Sequence, residues 1–379
     1  MKRKNWMIAL FCALFMSVWA NDGVYLVNGN HLVPLNETDI SIEKEVLTIS
    51  IGDDGFATVD VRYVFFNKAN DKMVMMGFEA DAPYNDMATI TKDFHHPYIN
   101  NFTVVMNGQT LPFDNALVAV DQGDTDFKPL DLNRWKETKD EDFAQSDRLY
   151  DAEQDSIITF AYAYYFKANF KKGRNEVHHT YRYRMSYGVG RTFEVPYWLR
   201  PAMRWANHQI DDFTFRIKAE NTSKHFCFAD SLFAAAPFTI AEGQGKIRTT
   251  QHYDTKMVEV SLRNGTLEWH ATRFKPVDNL TIYSADFLYA FSEQEKIGSF
   301  YDRNEHYVPF WKMGLDFKMN KKARRIMRNL PYASRGYVFT KKSMRDYFNQ
   351  FWWYMPDPSW KPSTIDFTPQ EKKWINGNI

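Results

Sequence analysis

Two adjacent histidine pairs, His95-His96 and His178-His179, are the first residues in this 379-residue chain whose types raise a chemical question. Paired imidazoles suit a metal. Neighbouring residues on a strand point to opposite faces, so neither pair chelates through both rings. A zinc site would need one ring from each pair plus a carboxylate such as Asp93 or Glu176. Neither H-x-x-x-H nor H-E-x-x-H occurs. His179 falls on an apolar strand face, where a core histidine is the simpler reading. The run Asp121, Asp124, Asp126 has a calcium-like look but lacks the glycine and distal glutamate of a full loop. No G-x-S-x-G is present, and Cys227 sits in the apolar "HFCFA" without an activating neighbour. "SYGVGRTF" follows a strand and runs into "EVPYWLRP", so it reads as a loop and not a phosphate cradle. Acids are so many before residue 296 that no carboxylate pair stands out for glycoside hydrolysis. The reading is no metal, no cofactor and no catalytic residue.

Ligand binding has better candidates in the aromatic stretch 328–358 and just beyond it. Arg335, Trp352, Trp353 and Trp360 offer forked donors and flat faces that suit sugars and anionic polymers. A small module must also bury its aromatics to fold. Met344, Tyr347, Phe348 and Phe351 recur at helical spacing and are assigned to its core.

These residues need elements to position them. Residues 21–295 read as strands. "EKEVLTISI", the turn "GDDG" and "FATVDVRYVFF" form a hairpin, with Val59, Val61 and Tyr63 on one face. "DKMVMMGFEA" is a further strand, and "NFTVVMNGQTLPF" is a hairpin turning at Asn107-Gly108. In "NEVHHTYRYRMSYG" one face carries His179, Tyr181, Tyr183 and Met185. "KMVEVSLRNGTLEWHATRF" is expected to turn at Asn264-Gly265. Residues 121–155 hold twelve acids and five basic residues and read as an acidic surface insertion, with a helical turn near Glu141–Leu149. The fold class is an all-β, sandwich-like domain over 21–295 followed by a small, mainly α-helical domain over 296–379. In the latter, Asn320 caps "KKARRIMRNL", with Ala323, Ile326, Met327 and Leu330 on one face and Pro331 just past the end. Thr340 caps a second helix that Pro356 and Pro358 stop. Thr368-Pro369-Gln370-Glu371 is a capping box opening a third.

The ends and the charge speak to location. "MKRKNWMIALFCALFMSVWA" has a basic start, a short apolar core and a Val18-Trp19-Ala20 finish. Residues 1–20 are therefore expected to be a cleavable signal peptide, cut after Ala20, which places the protein in the periplasm or outside the cell. No segment after it is long and apolar enough to span a membrane. Residues 21–295 hold 28 Lys+Arg against 40 Asp+Glu, and 296–379 hold 16 against 7. Export argues against nucleic acid as the partner of the basic half. An anionic envelope polymer, a protein partner, or the acidic half of the same chain fits better.

The stretch "RNLPYASRGYVF…YFNQFWWYMP" resembles the YARHG domain of bacterial exported proteins. Arg328-Asn329, Tyr332-Ala333, Gly336, Phe339, Tyr347-Phe348, Trp353-Tyr354 and Pro356 match its landmarks. Pro331, Ser334 and Arg335 depart from it, Arg335 standing where the pattern has histidine. Residues 21–295 resemble a second exported bacterial family of unknown function, through "NDG", "ISIEKEVLTISI", "VDVRYVFFN", "FKKGRNEVHHTYRYRMSYG" and "FKPVDNLTIYSA". Neither resemblance implies a reaction. The expectation is a non-enzymatic, envelope-associated protein whose basic aromatic module binds a surface polymer or a protein. The alternative is a hydrolase of envelope glycans or peptides, with a cleft where His95 or His96 meets His178 or His179. A structural reading has the basic module dock on the acidic insertion.

Overall fold

The computed structural model describes residues 30–34, 39–81, 90–119, 130, 135–137, 148–151, 156–188, 191–219, 222–285, 321–362 and 367–377. The signal peptide at 1–20, the run Asp121–Asp126, most of the acidic insertion, the 295/296 boundary and the Asn320 cap lie outside the described residues.

The strands are β1 (Asn30–Pro34), β2 (Ile40–Ile51), β3 (Phe56–Asn67), β4 (Lys72–Asp81), β5 (Ile99–Met106), β6 (Gln109–Thr110) and β7 (Asp114–Ala119). Next come β8 (Trp135–Glu137), β9 (Arg148–Asp151), β10 (Ser156–Phe170), β11 (Gly173–Arg184), β12 (Ser186–Gly188) and β13 (Arg191–Tyr197). The β-region closes with β14 (Ile210–Ala219), β15 (Lys224–Ala229), β16 (Thr239–His252), β17 (Thr255–Phe274) and β18 (Leu280–Ser284). Among the described residues they form a twelve-stranded and a six-stranded sheet. The large sheet has two halves. In one, β2, β3, β11, β5 and β6 follow one another; in the other, β12, β13, β18, β15, β17 and β14 do, with β16 also on β17. The halves join where β14 lies parallel to β2, from Ile210 beside Ile42 to Ala219 beside Ile51.

Alternation does what period two requires. Leu47, Ile49 and Ile51 of β2 and Val59, Val61, Tyr63 and Phe65 of β3 are buried. β4 and β10 of the small sheet close over them, and both sheets feed one core. Phe65 meets Phe170 edge-on at 5.5 Å, and Phe78 meets Tyr181 at 4.8 Å. This is the packed pair of sheets expected of a sandwich. Over the other half, Leu232, Phe233 and Phe238 cover the sheet, and Trp269 donates its indole N–H to the Ala236 carbonyl at 2.8 Å.

Several sequence expectations need correction. Asn264-Gly265 is not a hairpin turn, because β17 runs through it. Asn264 takes φ 44°, and the ladder to β16 shifts register there. A side chain on Gly243 of β16 would overlap the Asn264 carbonyl, so the Asn-Gly pair serves a bulge pressed against a second glycine. The end of the helical turn expected near Glu141–Leu149 is strand: Leu149 pairs with Ile158 of β10. Pro331 lies inside its helix. A proline near a helix end forfeits one hydrogen bond, and the helix runs on because the Ser334 N–H reaches the Leu330 carbonyl. The second helix begins after Lys341 without a side-chain cap from Thr340 and ends at Phe348, well before Pro356. Stopping there lets Trp353 and Tyr354 both turn inward, which a continued helix would prevent.

Glu45 and His179 are ionisable groups buried in the sandwich core. Glu45 of β2 stands between Tyr63 and Phe213 on the flanking strands. Burial pushes its carboxyl up to about 8, although Tyr197 donates to it at 3.5 Å. His179 packs against Phe78, Phe102 and Tyr181, with Nδ1 3.3 Å from the Thr103 carbonyl, and burial pushes its ring down to about 3. The raised Glu45 contributes stability that is full below its ordinary 4.5 and is lost as pH climbs to about 8. The depressed His179 contributes stability that is full above its ordinary 6.5 and is lost as pH falls toward 3. The two slopes oppose one another between those ordinary values. Urea unfolding across pH should therefore show a plateau there and a fall on either side. Glu45→Gln is expected to stabilise the protein by about 4 kcal/mol at pH 8 and to change little at pH 4. His179→Phe should remove the acid fall.

Candidate functional site

After the β-region come α1 (Lys321–Ala333), α2 (Lys342–Phe348) and α3 (Pro369–Ile375). They build a separate core from Ile326, Leu330, Ala333, Phe339, Met344, Tyr347, Phe348, Trp353 and Tyr354. The α3 capping box forms in full, with Thr368 Oγ1 accepting from the Glu371 N–H and the Glu371 carboxylate accepting from the Thr368 N–H. Gly336 follows α1 at φ +84°, in the left-handed region a side chain resists.

The four sequence candidates do not form one surface. Arg335 is 2% exposed. Its guanidinium pairs with both oxygens of Glu371 at 2.6 and 2.9 Å, donates to the Pro331 carbonyl at 2.8 Å and lies over the Phe367 ring. The arginine thus fastens the motif turn to α3, and the same glutamate caps that helix. Trp353 is buried in the module core. Trp352 is half-buried against the β-domain, where Arg248 lies 4.7 Å over its ring and His225 sits 5.8 Å away. Arg335 and Trp353 are thus enclosed by the fold, and Trp352 is held against the β-domain with one part of its ring still accessible. Trp360 is different. It is half-exposed and meets Tyr332 and Tyr337 edge-on at 6.4 and 5.9 Å, and Tyr332 meets Phe367 at 5.1 Å. All four rings are half-exposed, and exposed Lys361 follows in the chain. Sequence reasoning missed Tyr332 and Tyr337 as part of this patch, since Tyr332 lies in the last turn of α1, past the periodic stretch, and Tyr337 follows Gly336 outside any helix.

The histidines go separate ways. His178 faces outward and bonds Asp60 at 2.8 Å, while His179 is in the core. His95 bonds Asp93 at 2.5 Å, which holds that carboxyl below its usual range. His96 is buried; its backbone N–H donates to the Tyr164 hydroxyl at 2.9 Å and its Nδ1 accepts from the Tyr98 N–H at 3.1 Å. Among the described residues no group of three or more His, Cys, Asp or Glu gathers to hold a metal ion. Cys227 is buried. An open groove of about 460 Å³ on the outer face is lined by Glu43, Lys44, Val64, Arg174, Glu176, Asp211 and Asp212. Its cations are spent on its own acids, Lys44 on Asp212 at 3.0 Å and Arg174 on Glu43 at 2.7 Å.

A domain of unknown function, DUF4424, matches residues 20–257. The chain belongs to the DUF4424 family. The YARHG domain matches residues 316–377, so this DUF4424 protein carries a YARHG module at its C-terminal side. YARHG modules occur in exported proteins, and no helix of the described residues is long and apolar enough to cross a membrane. No curated protein matches the chain. A Legionella pneumophila crystal structure, provisionally described as a nutrient binding protein, aligns over 94% of this chain and 98% of its own at 15% identity and a TM-score of 0.49. An M1 zinc metallopeptidase from Deinococcus radiodurans aligns over 65% of this chain and 43% of its own at 11% identity and a TM-score of 0.24. Likenesses this distant carry no argument about function.

Removing Arg335 leaves the Glu371 carboxylate buried without its partner. Arg335→Ala should destabilise the module by about 3–5 kcal/mol. The pair Arg335→Met with Glu371→Gln should recover most of that in denaturant unfolding, because glutamine keeps the cap.

Proposed function

We propose that this DUF4424 protein is an exported, non-enzymatic binding protein of the cell envelope. In this reading the β-sandwich is the body, and the YARHG module offers the half-exposed patch of Tyr332, Tyr337, Trp360 and Phe367 to an envelope polymer. The observation that carries it is that these rings stay half-exposed while Phe339, Tyr347, Phe348 and Trp353 of the same module are buried. Aromatic faces beside cations suit glycan strands that bear negative charge. Exposed Lys361 next to Trp360, with exposed Lys341, Lys372 and Lys373 elsewhere on the module, supplies positive charge. The basic balance of 296–379 and the signal-like first twenty residues support the same location.

The test is retention of the full chain on peptidoglycan and on acidic polysaccharide at low salt, where attraction between charges is greatest. Trp360→Ala is expected to lower retention about tenfold, which corresponds to about 1.4 kcal/mol. Added salt should weaken what remains. Wild-type protein that passes through both matrices, or a Trp360→Ala variant that binds as well as wild type, overturns the assignment.

A further inference from the structure

The β-domain meets the module along β15, β16 and β17, and its donors there aim at main-chain oxygens. The Ser223 N–H and Oγ both reach the Ser334 carbonyl at 2.8 Å. Lys246 Nζ donates to the carbonyls of Trp352 and Tyr354 at 2.9 and 3.0 Å, and Ser261 Oγ to that of Trp353 at 3.0 Å. Arg263, 2% exposed, lies against Gly336, where an added side chain would overlap the guanidinium. Its Nη2 bonds Gln244 and stands 3.7 Å from Asp357, while its buried Nη1 has no hydrogen-bond partner. The Asp357 N–H in turn donates to the Gly336 carbonyl at 2.7 Å.

We propose that this face of the β-domain is a receptor for the YARHG turn, with Arg263 against Gly336 as its specificity-determining contact. Every carbonyl it reads exists whatever side chain stands at that position, so these donors recognise the path of the module's backbone, while Arg248 over Trp352 and Arg263 near Asp357 add side-chain contacts. What it tests is the missing side chain at 336. A cation buried this deeply, with one nitrogen unpaired, tolerates no displacement that would leave it further short of partners. The partner the face fits is therefore a YARHG module with glycine after its arginine-bearing turn. The claim is independent of the polymer reading, since the docked carbonyls belong to 334 and 352–354.

Amide hydrogen exchange at Ser223 and acylation of Lys246 by an amine-reactive label report this docking directly in the full chain. Gly336→Ala is expected to raise both rates at least about tenfold. Arg263→Ala should raise them about threefold. In the Arg263→Ala background, where the space opposite residue 336 is open, adding Gly336→Ala should raise them less than about twofold further. Equal effects of Gly336→Ala in both backgrounds would assign the glycine to its own left-handed backbone and overturn the proposal. So would unchanged rates in Gly336→Ala alone.

Discussion

The parallel pairing of β14 with β2 is the contact on which the rest of the molecule depends. Each half of the large sheet is built from antiparallel neighbours, some of them joined by a local turn, as β2 is to β3 and β16 to β17. Parallel neighbours need a crossover, and here more than 150 residues separate Ile51 from Ile210. Once that pair is formed, Ile42, Leu47, Ile49, Phe213, Phe215 and Ile217 share one core. The buried Glu45 sits at this junction, between Tyr63 and Phe213. A carboxyl held there is tolerable only while it keeps its proton, which ties the junction to pH.

β17 shows how the two domains become one object. From Met257 to Arg263 every residue is buried, although the strand alternates in type. Val258, Val260 and Leu262 belong to the sandwich core. Glu259 takes His225 and Arg248, Ser261 reaches Trp353, and Arg263 lies on Gly336. The polar residues on the second face are buried because the module stands over them, each meeting a partner as burial demands. The described contacts to the module come from Ser223 and from β15–β17. The acidic insertion lies mostly outside the described residues.

Much of the fold was legible. Period-two patterns placed β2, β3 and β11 and their inward faces, and the capping box at Thr368 placed α3. What pattern could not supply was long-range. Nothing in "MVEVSLR" distinguishes a solvated polar face from one covered by a module. Asn264-Gly265 has the residues of a tight turn, and only Gly243 on the neighbouring strand makes it a bulge. Two of the four ligand candidates are buried for the same reason. Arg335 and Trp353 have the chemistry of a binding site, and what decides their role is Glu371 and the core around Phe348. Trp360 stays half-exposed beside Tyr332 of α1 and Tyr337 after Gly336.

The length of β17 has a mechanical consequence. Its first half lies under the module and its second half is hydrogen-bonded to β14, beside the parallel junction. A tug on the module enters the sheet at Ser223, at Lys246 of β16 and at Ser261 and Arg263 of β17, and along β17 it travels on one continuous backbone into the ladders shared with β14 and β16. A load directed along a strand is borne by many ladder bonds at once, whereas one that peels an edge breaks them singly. For a protein tethered through this module, the strand acts as a tie-rod, and strain on the anchor is felt at the centre of the body.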